Sequence, residues 1–266
     1  SRLFTSSTLG HDAELSWLVR RCGLEGARIL RVPSPFDYAT QAAMYVPEDF
    51  PSPSDPRHGS AVAALVANAA MSLCGRTLVL TTTLRAIAII AQVLRQQLAQ
   101  RGSHLDVLAQ GEWPKLRLME RFRAGAGPQG GCILVASASF WEGFDVPGDA
   151  LQLVVIDKLP FPPPGDPLVE ARTLQIEQSG GSAFKEYALA EAAVALKQGA
   201  GRLIRHESDR GVLVVCDSRL VRMGYGKRLI AALPPMRRLS GAEEFHAALE
   251  DLASVTRTST TDQTFL

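Results

Sequence analysis

The sequence predicts an α/β domain in which a mostly parallel β-sheet is covered by helices on both faces. Apolar runs of the length of buried strands alternate with helical segments along most of the chain. The length of 266 residues suits one large domain or two small ones, and a hydrophobic fraction of 46% supplies a sizeable core. These observations favour βαβ units that add strands to one sheet.

The elements follow one another in a regular order. An apolar strand ends at Thr81, Thr82 and Thr83 form a turn and helix cap, and a long helix extends from Leu84 to Arg101. The further strands are predicted at 105–109, 132–136, 151–157 and 212–216. The further helices are predicted at 12–22, 60–74, 115–123, 166–179, 183–198 and 226–232.

Two stretches depart from this alternation. Six prolines lie between Pro33 and Pro56, so we expect extended chain passing over a surface rather than a helix. Residues 254–266 hold five threonines and no apolar period, so we expect a frayed or disordered tail. The chain begins at Ser1 within a strand-like run, and we interpret it as a piece of a longer protein.

Composition excludes several classes of protein. Lys and Arg number 28 against 27 Asp and Glu, so no overall positive charge indicates nucleic-acid binding. The apolar runs are far shorter than the ~20 residues of a membrane span, and no secretory leader is visible. We expect a cytoplasmic protein without a membrane partner. Its four scattered cysteines are expected to be reduced core thiols, and its five solitary histidines offer no metal or hydrolase site.

The first motif with chemical content is Gln198-Gly-Ala-Gly-Arg-Leu-Ile-Arg205. Arg202 and Arg205 are three residues apart, which predicts that both lie on one side of a helical turn. Gly199 and Gly201 let the backbone approach a ligand closely. Arginine pairs suit the charge of a transferring γ-phosphoryl group, and the alternative is a helix with surface arginines.

The second motif directly follows the strand predicted at 132–136. It places Ser139, Trp141, Glu142, Gly143 and Asp145 close together in one loop. Asp145 could accept a ribose hydroxyl or pair with an arginine, and Trp141 could stack on a base. A packed tryptophan with capping carboxylates is the alternative.

The third motif is the strand end that carries Thr81, Thr82 and Arg85. Hydroxyl groups, backbone N–H groups at a helix start and one guanidinium could bind phosphate. Simple helix capping is the alternative. We expect all three motifs beyond the carboxyl ends of strands, where open parallel sheets bind ligands.

Local charge and missing motifs complete the pattern. Ten Lys or Arg against three acidic residues lie between Lys197 and Arg238, an excess that could attract phosphate. A G-x-x-x-x-G-K-[ST] loop and a carboxylate pair for magnesium are both absent from the sequence. The arginine motif therefore looks like half of a nucleotide site. A small-molecule enzyme is disfavoured because no G-x-G-x-x-G turn is present.

Five segments in order resemble the second motor domain of superfamily 2 helicases of the DinG/XPD group, most of all the bacterial YoaA-like branch. The first, Phe4–Leu9, is similar to the family's T-S-A-T-L motif, with Ser7 in place of the usual Ala. The other segments are 78–82, 139–148, 158–167 and 198–205. The resemblance implies that residues 1–10 end a first RecA-like motor domain and that 11–253 form the second, a three-layer RecA-like domain.

The resemblance also implies roles for the motif residues. Arg202 and Arg205 would be arginine fingers, the catalytic residues of this half. The implied ATP-binding residues are Gln198, Gly199, Gly201, Glu142, Gly143 and Asp145, of which Gly143 and Asp145 couple the cleft to DNA. The implied contacts to single-stranded DNA are Thr81, Thr82, Arg85, Ser139 and Trp141.

The implied activity is ATP-driven translocation along single-stranded DNA, 5′ to 3′, with duplex unwinding in DNA repair or replication. The cofactors would be ATP and Mg²⁺, shared with the first motor domain, and a 4Fe-4S cluster in the absent part of the parent protein. The partners would be single-stranded DNA, that first motor domain, and replication or repair proteins. We expect this chain alone to be inactive as an ATPase. The alternative is a non-catalytic module that binds single-stranded nucleic acid.

Overall fold

The computed structural model describes residues 15, 18–19, 22–125, 130–137, 140 and 150–262, with the backbone alone for 255–262. The strands in this part of the chain are β1 (Ala42–Tyr45), β2 (Thr77–Thr81), β3 (Asp106–Ala109), β4 (Cys132–Ser137), β5 (Leu153–Ile156), β6 (Gly211–Val215) and β7 (Arg237–Leu239). The helices are α1 (Tyr38–Gln41), α2 (His58–Ser72), α3 (Leu84–Gln100), α4 (Lys115–Arg123), α5 (Pro167–Gln178), α6 (Leu189–Ala200), α7 (Arg219–Arg222), α8 (Gly226–Ala232) and α9 (Ala242–Asp262), with a π-helical turn at Phe184–Ala188.

The seven strands form one sheet in the order β3-β4-β2-β5-β6-β1-β7. Each adjacent pair is parallel, so the carboxyl ends of all seven strands share one edge. The register is fixed by pairs such as Ala42 with Gly211 and Thr77 with Leu153. The predicted α/β class with a parallel sheet is confirmed.

The core consists of two apolar layers, one on each face of the sheet. Alternation within β2 is an example: Leu78 and Leu80 face one layer, and Val79 faces the other. Helices α4, α6 and α8 close the first layer, and α2, α3 and α9 close the second. Every residue of β2, β4, β5 and β6 is buried, as is typical of a parallel sheet covered on both faces.

Local signals in the sequence explain most helix boundaries. The Thr83 hydroxyl accepts a hydrogen bond from the Ala86 N–H at 3.2 Å, which is the predicted cap of α3. The Asp166 carboxylate accepts from the Leu168 N–H at 2.8 Å, and Pro167 begins α5. Helices α4 and α8 have the predicted bounds.

The stretch between Pro33 and Pro56 is not simply extended surface chain, and the expectation there is corrected. It holds the short helix α1 and the strand β1, whose four residues are all buried between β6 and β7. The prolines lie before and after Ala42–Tyr45 but not within it, so the strand keeps all of its N–H donors.

The end of the chain and the cysteines also differ from expectation. Helix α9 keeps the backbone helical as far as Asp262, within the stretch expected to fray, and residues 263–266 lie outside the described part. The first turns of α9 pack Phe245 and Leu249 into the core, from which the helix continues. Cys132 and Cys216 are buried, but Cys22 and Cys74 are exposed, so only two of the four thiols belong to the core.

Candidate nucleotide and nucleic-acid sites at opposite edges of the sheet

The loop that carries Arg202 and Arg205 lies at the amino edge of the sheet. It connects α6 to the start of β6, and it packs beside Gln41, which directly precedes β1. Because β1 and β6 are parallel and pair Ala42 with Gly211, both strands begin at this edge. The expectation that this motif lies beyond carboxyl ends is therefore wrong.

The two arginines also do not share a helical turn. Helix α6 ends at Ala200, its C-cap is Gly201, and the backbone leaves the helical path through Arg205. Gly201 brings its backbone close to the preceding turn, since an added Cβ would lie 3.1 Å from the Lys197 carbonyl oxygen. The two guanidinium groups are presented by an irregular turn, and the i, i+3 spacing predicted this incorrectly.

Two buried side chains anchor this turn. The Asp209 carboxylate accepts hydrogen bonds from the N–H groups of Arg205 at 2.7 Å and His206 at 2.8 Å. The Gln41 amide nitrogen lies 3.0 Å from each of the carbonyl oxygens of His206, Glu207 and Asp209. Both anchors hold backbone atoms, so the turn has a defined path without using the arginine side chains.

The surroundings of the turn are positively charged. Arg202, Arg205 and Gln198 are each half-buried. The pKa of Lys197 is lowered, first by burial and then by the positive charge of Arg31. Cations that are held close together and partly desolvated attract an anion such as a phosphate group.

Thr81, Thr82 and Arg85 lie at the opposite, carboxyl edge. The Thr81 hydroxyl donates to the Thr83 carbonyl oxygen at 3.1 Å. The Thr82 hydroxyl oxygen is buried and has no hydrogen-bond partner among the described residues. Arg85 is exposed in the first turn of α3, so N–H groups and a guanidinium are available together at this edge.

Asp157 contacts the Thr82 turn directly, and His58 contacts Asp157. The Asp157 carboxylate accepts from the N–H of Lys158 at 2.8 Å and from the N–H of Thr82. The His58 ring nitrogens lie 2.8 Å from the Pro51 carbonyl oxygen and 2.9 Å from the Asp157 carbonyl oxygen. Since carbonyl oxygens only accept, the ring donates from the nitrogen that carries its N–H, and the tautomer decides which of the two carbonyl oxygens receives that hydrogen bond.

Burial governs the electrostatics of this edge. Asp157 is only 1% exposed, and this burial raises the pKa of its carboxyl group to about 6, against the opposing charge of Lys158. Just after the neighbouring strand β6, the buried Asp217 carboxylate pairs with Arg219 at 2.7 Å and accepts a hydrogen bond from the Leu159 N–H at 2.9 Å. The pairing with Asp217 raises the pKa of Arg219.

Sequence reasoning did not select His58, Asp157 or Asp217 as site residues. A signal was present for the two carboxylates, because Asp157 ends one predicted strand, Asp217 directly follows another, and the ends of neighbouring parallel strands meet. No such signal existed for His58, whose role depends on a contact 99 residues away along the chain.

The predicted site residues of the second motif are not among the described residues. Ser139, Trp141, Glu142, Gly143 and Asp145 all lie outside the described residues. Among the described residues, no group of three or more His, Cys, Asp or Glu side chains could hold a metal ion. No helix in the described part is both long enough and apolar enough to cross a membrane.

Comparison with a protein-family model identifies the family. The model described as Helicase C-terminal domain matches residues 66–236, which include both the Thr81 and the Arg202 motifs. The match covers well over half of the chain, so the chain belongs to the helicase C-terminal domain family.

Relatives and solved structures agree with this assignment. The chain is 42% identical to the ATP-dependent DNA helicase YoaA of Escherichia coli over 90% of this chain and 36% of YoaA. It is 38% identical to the ATP-dependent helicase DinG of Mycobacterium tuberculosis over 94% of this chain and 37% of DinG. The solved structure named XPD_APO has a TM-score of 0.52 at 16% identity, covering 75% of this chain and 40% of that one, which shows a shared fold. The chain thus spans about a third of the length of these relatives.

Proposed function

We propose that this chain is the second, C-terminal motor domain of an ATP-dependent DNA helicase that translocates 5′ to 3′ on single-stranded DNA and unwinds duplexes. The observation that carries the proposal is the anchored arginine turn within a domain of the helicase C-terminal family. The names of the relatives, ATP-dependent DNA helicases, support the activity. Residues 1–10 would end the first motor domain, and 11–253 would form the second.

The amino edge would serve the nucleotide. Arg202 and Arg205 would contact the γ-phosphate of ATP bound by the first motor domain and balance the charge that develops during transfer. Gln198, Gly199 and Gly201 would line the same nucleotide-binding cleft between the two motor domains. The hydrogen bonds from Gln41 and to Asp209 would hold the arginine turn at a fixed position. Glu142, Gly143 and Asp145 stay predicted contacts to ATP.

The carboxyl edge would serve DNA. Thr81, Thr82 and Arg85 would bind the phosphate backbone, and Ser139 and Trp141 stay predicted contacts to the same strand. Because the two motifs lie at opposite ends of the same rigid sheet, closure on ATP at one edge would displace DNA at the other. This geometry favours a motor over a simple nucleic-acid-binding module.

The remaining requirements would come from the rest of the parent protein. ATP would be bound with Mg²⁺, whose charge neutralises phosphate oxygens during transfer. A 4Fe-4S cluster would belong to the parent outside this chain. The isolated chain would not hydrolyse ATP, because its sequence lacks the phosphate loop. Replication or repair proteins would be further partners of the parent.

The test is ATP hydrolysis by the full-length parent with and without single-stranded DNA. Arg202→Ala should reduce DNA-stimulated turnover by roughly 10³-fold or more, since an arginine finger is worth that much in rate. Arg95→Ala is the matched control, because its side chain is 44% exposed, pairs with Glu112 and lies in α3 near β3, away from the arginine turn. Turnover that is DNA-stimulated but indifferent to Arg202 would remove the arginine-finger role.

A further inference from the structure

An aromatic cluster lies at the carboxyl edge, and no function has been assigned to its members so far. Its members are Phe161 after β5, Phe184 in the π-helical turn and Tyr225 before α8. The ring centroid of Phe184 lies 5.6 Å from that of Phe161 and 5.3 Å from that of Tyr225, and Phe161 and Tyr225 are 6.0 Å apart. Each ring therefore contacts the other two.

The cluster holds one ring at the surface. Phe184 is 44% exposed, and Phe161 and Tyr225 beneath it are half-buried. A core phenylalanine would bury its ring, whereas this one is exposed yet fixed by two aromatic neighbours. Its position at the start of a π-helical turn points the same way, since such turns occur mostly at functional sites.

One ring has a cation beside it, and further cations lie close to the cluster along the chain. The Arg219 guanidinium carbon lies 5.7 Å from the Phe161 centroid. The exposed Lys185 follows Phe184, and the exposed Lys227 and Arg228 follow Tyr225 closely in sequence. The acidic groups near these cations are engaged, because Glu186 accepts from the Ser182 N–H and Asp217 pairs with Arg219.

We propose that Phe184, supported by Phe161 and Tyr225, is a stacking platform for a base of single-stranded nucleic acid. Exposed aromatic faces among cations are the pattern that binds single strands with little sequence preference, while a duplex offers no free base faces. The inference rests on the proposed function, and it adds a binding site made of residues to which no role has been assigned above.

The location of the platform extends the proposed DNA-binding surface, which begins at Thr81, Thr82 and Arg85. Strands β2, β5 and β6 are consecutive neighbours in the sheet, so their ends are on the order of 5–10 Å apart, a few nucleotides of a strand. The Thr82 turn follows β2, and the platform lies over the ends of β5 and β6. Phe184 also lines a groove that has Glu170 and Glu177 in its lining, and because these carboxylates repel phosphate, the phosphates should run on the side of Phe184 away from them.

The first experiment measures binding of a fluorescent oligothymidine to the full-length parent by anisotropy, without nucleotide and at one fixed salt concentration. Phe184→Ala should weaken binding roughly 5- to 100-fold, the loss of one stacked base. Phe184→Trp should keep the affinity. Met71→Ala is the control, with an apolar side chain that is 41% exposed near the end of α2, which leads into the amino end of β2, and it should bind as the unaltered protein does.

An abasic oligonucleotide of the same length separates stacking from charge. With this probe the affinities of Phe184→Ala and the unaltered protein should be equal, because only the phosphates remain. If Phe184→Ala does not fold, the fluorescence of Phe184→Trp gives the answer: it should change on binding oligothymidine and not on binding the abasic strand.

Equal oligothymidine affinity for Phe184→Ala and the unaltered protein would overturn the platform, as would a Phe184→Trp signal that ignores bases. A parent that still shows DNA-stimulated ATP hydrolysis in that case would retain the proposed function. A parent with no DNA-stimulated hydrolysis at all would instead refute the proposed function itself.

Discussion

The two edges of the sheet position their candidate site residues by different means. At the amino edge, the neutral amide of Gln41 and the carboxylate of Asp209 hold backbone atoms of the arginine turn. At the carboxyl edge, the Thr82 turn is held by Asp157, a buried carboxyl group whose pKa is raised to about 6 by burial. The Gln41 amide does not titrate, whereas the Thr82 turn depends on a carboxyl group that titrates near pH 6, so we expect a pH response at the carboxyl edge.

The variant with the largest expected effect on the amino edge is Gln41→Glu. The new carboxylate would face three carbonyl oxygens in a buried site, and we expect a loss of about 4 kcal/mol in the free energy of unfolding at pH 7. Gln41→Ala, which only leaves the carbonyls unpaired, should cost about 2 kcal/mol. Urea unfolding measures both.

The same variants test which edge serves which ligand. In the parent protein, Gln41→Ala should lower ATP turnover at saturating DNA and leave the DNA concentration for half-maximal stimulation unchanged. A change confined to DNA affinity would reverse the assignment of the amino edge to the nucleotide.

His58→Ala tests the carboxyl edge with a slightly smaller effect. The carbonyl oxygens of Pro51 and Asp157 would lose the ring that bridges them, and the buried ring would leave a cavity, so we expect a loss of about 3 kcal/mol in stability. The Thr82 turn should loosen, which raises the DNA concentration needed for half-maximal ATPase stimulation while turnover at saturating DNA persists. His58→Gln, which keeps one donor, should be intermediate. Turnover that falls at saturating DNA would contradict the separation of the edges.

Asp157→Asn gives the smallest effect and the clearest pH signature. A carboxyl group with a raised pKa stabilises the fold below its unfolded value near 4 and loses this contribution as the pH rises through about 6. The unaltered protein should therefore lose on the order of 2 kcal/mol of stability between pH 4 and pH 6 through this group. The asparagine variant lacks that loss, so its stability relative to that of the unaltered protein should rise from pH 4 to pH 6. Urea unfolding at several pH values measures it, and a difference that stays constant with pH would refute the buried-carboxyl account.

Much of the fold was predictable because its signals are local. Helix α3 follows from the Thr83 cap and from apolar residues such as Ile87, Ile90 and Leu94 spaced along one face. The central strands follow from apolar runs that are buried on both faces. Strand β7 was missed because Arg237-Arg238-Leu239 is short and mostly charged, and it is a strand only because β1 offers it a hydrogen-bonding edge.

The candidate motifs could be selected from the sequence, but their arrangement could not. The motifs at Thr81 and Arg202 were found from side-chain chemistry, yet the arginine pair was expected at the wrong edge and on a helical turn. Its true path depends on Gln41, 161 residues before Arg202, whose amide reaches the loop only after β1 and β6 have paired.

The sequence by itself determined the parallel α/β class, the caps of α3 and α5 and the presence of an arginine motif without its phosphate loop, because each depends on residues close together in the chain. Tertiary structure alone decided the strand order and the separation of the two motifs to opposite edges. It also brought His58 to Asp157 and, separately, brought the three rings of the aromatic cluster together. These features depend on which strands pair, and pairing is settled by the burial of both sheet faces at once.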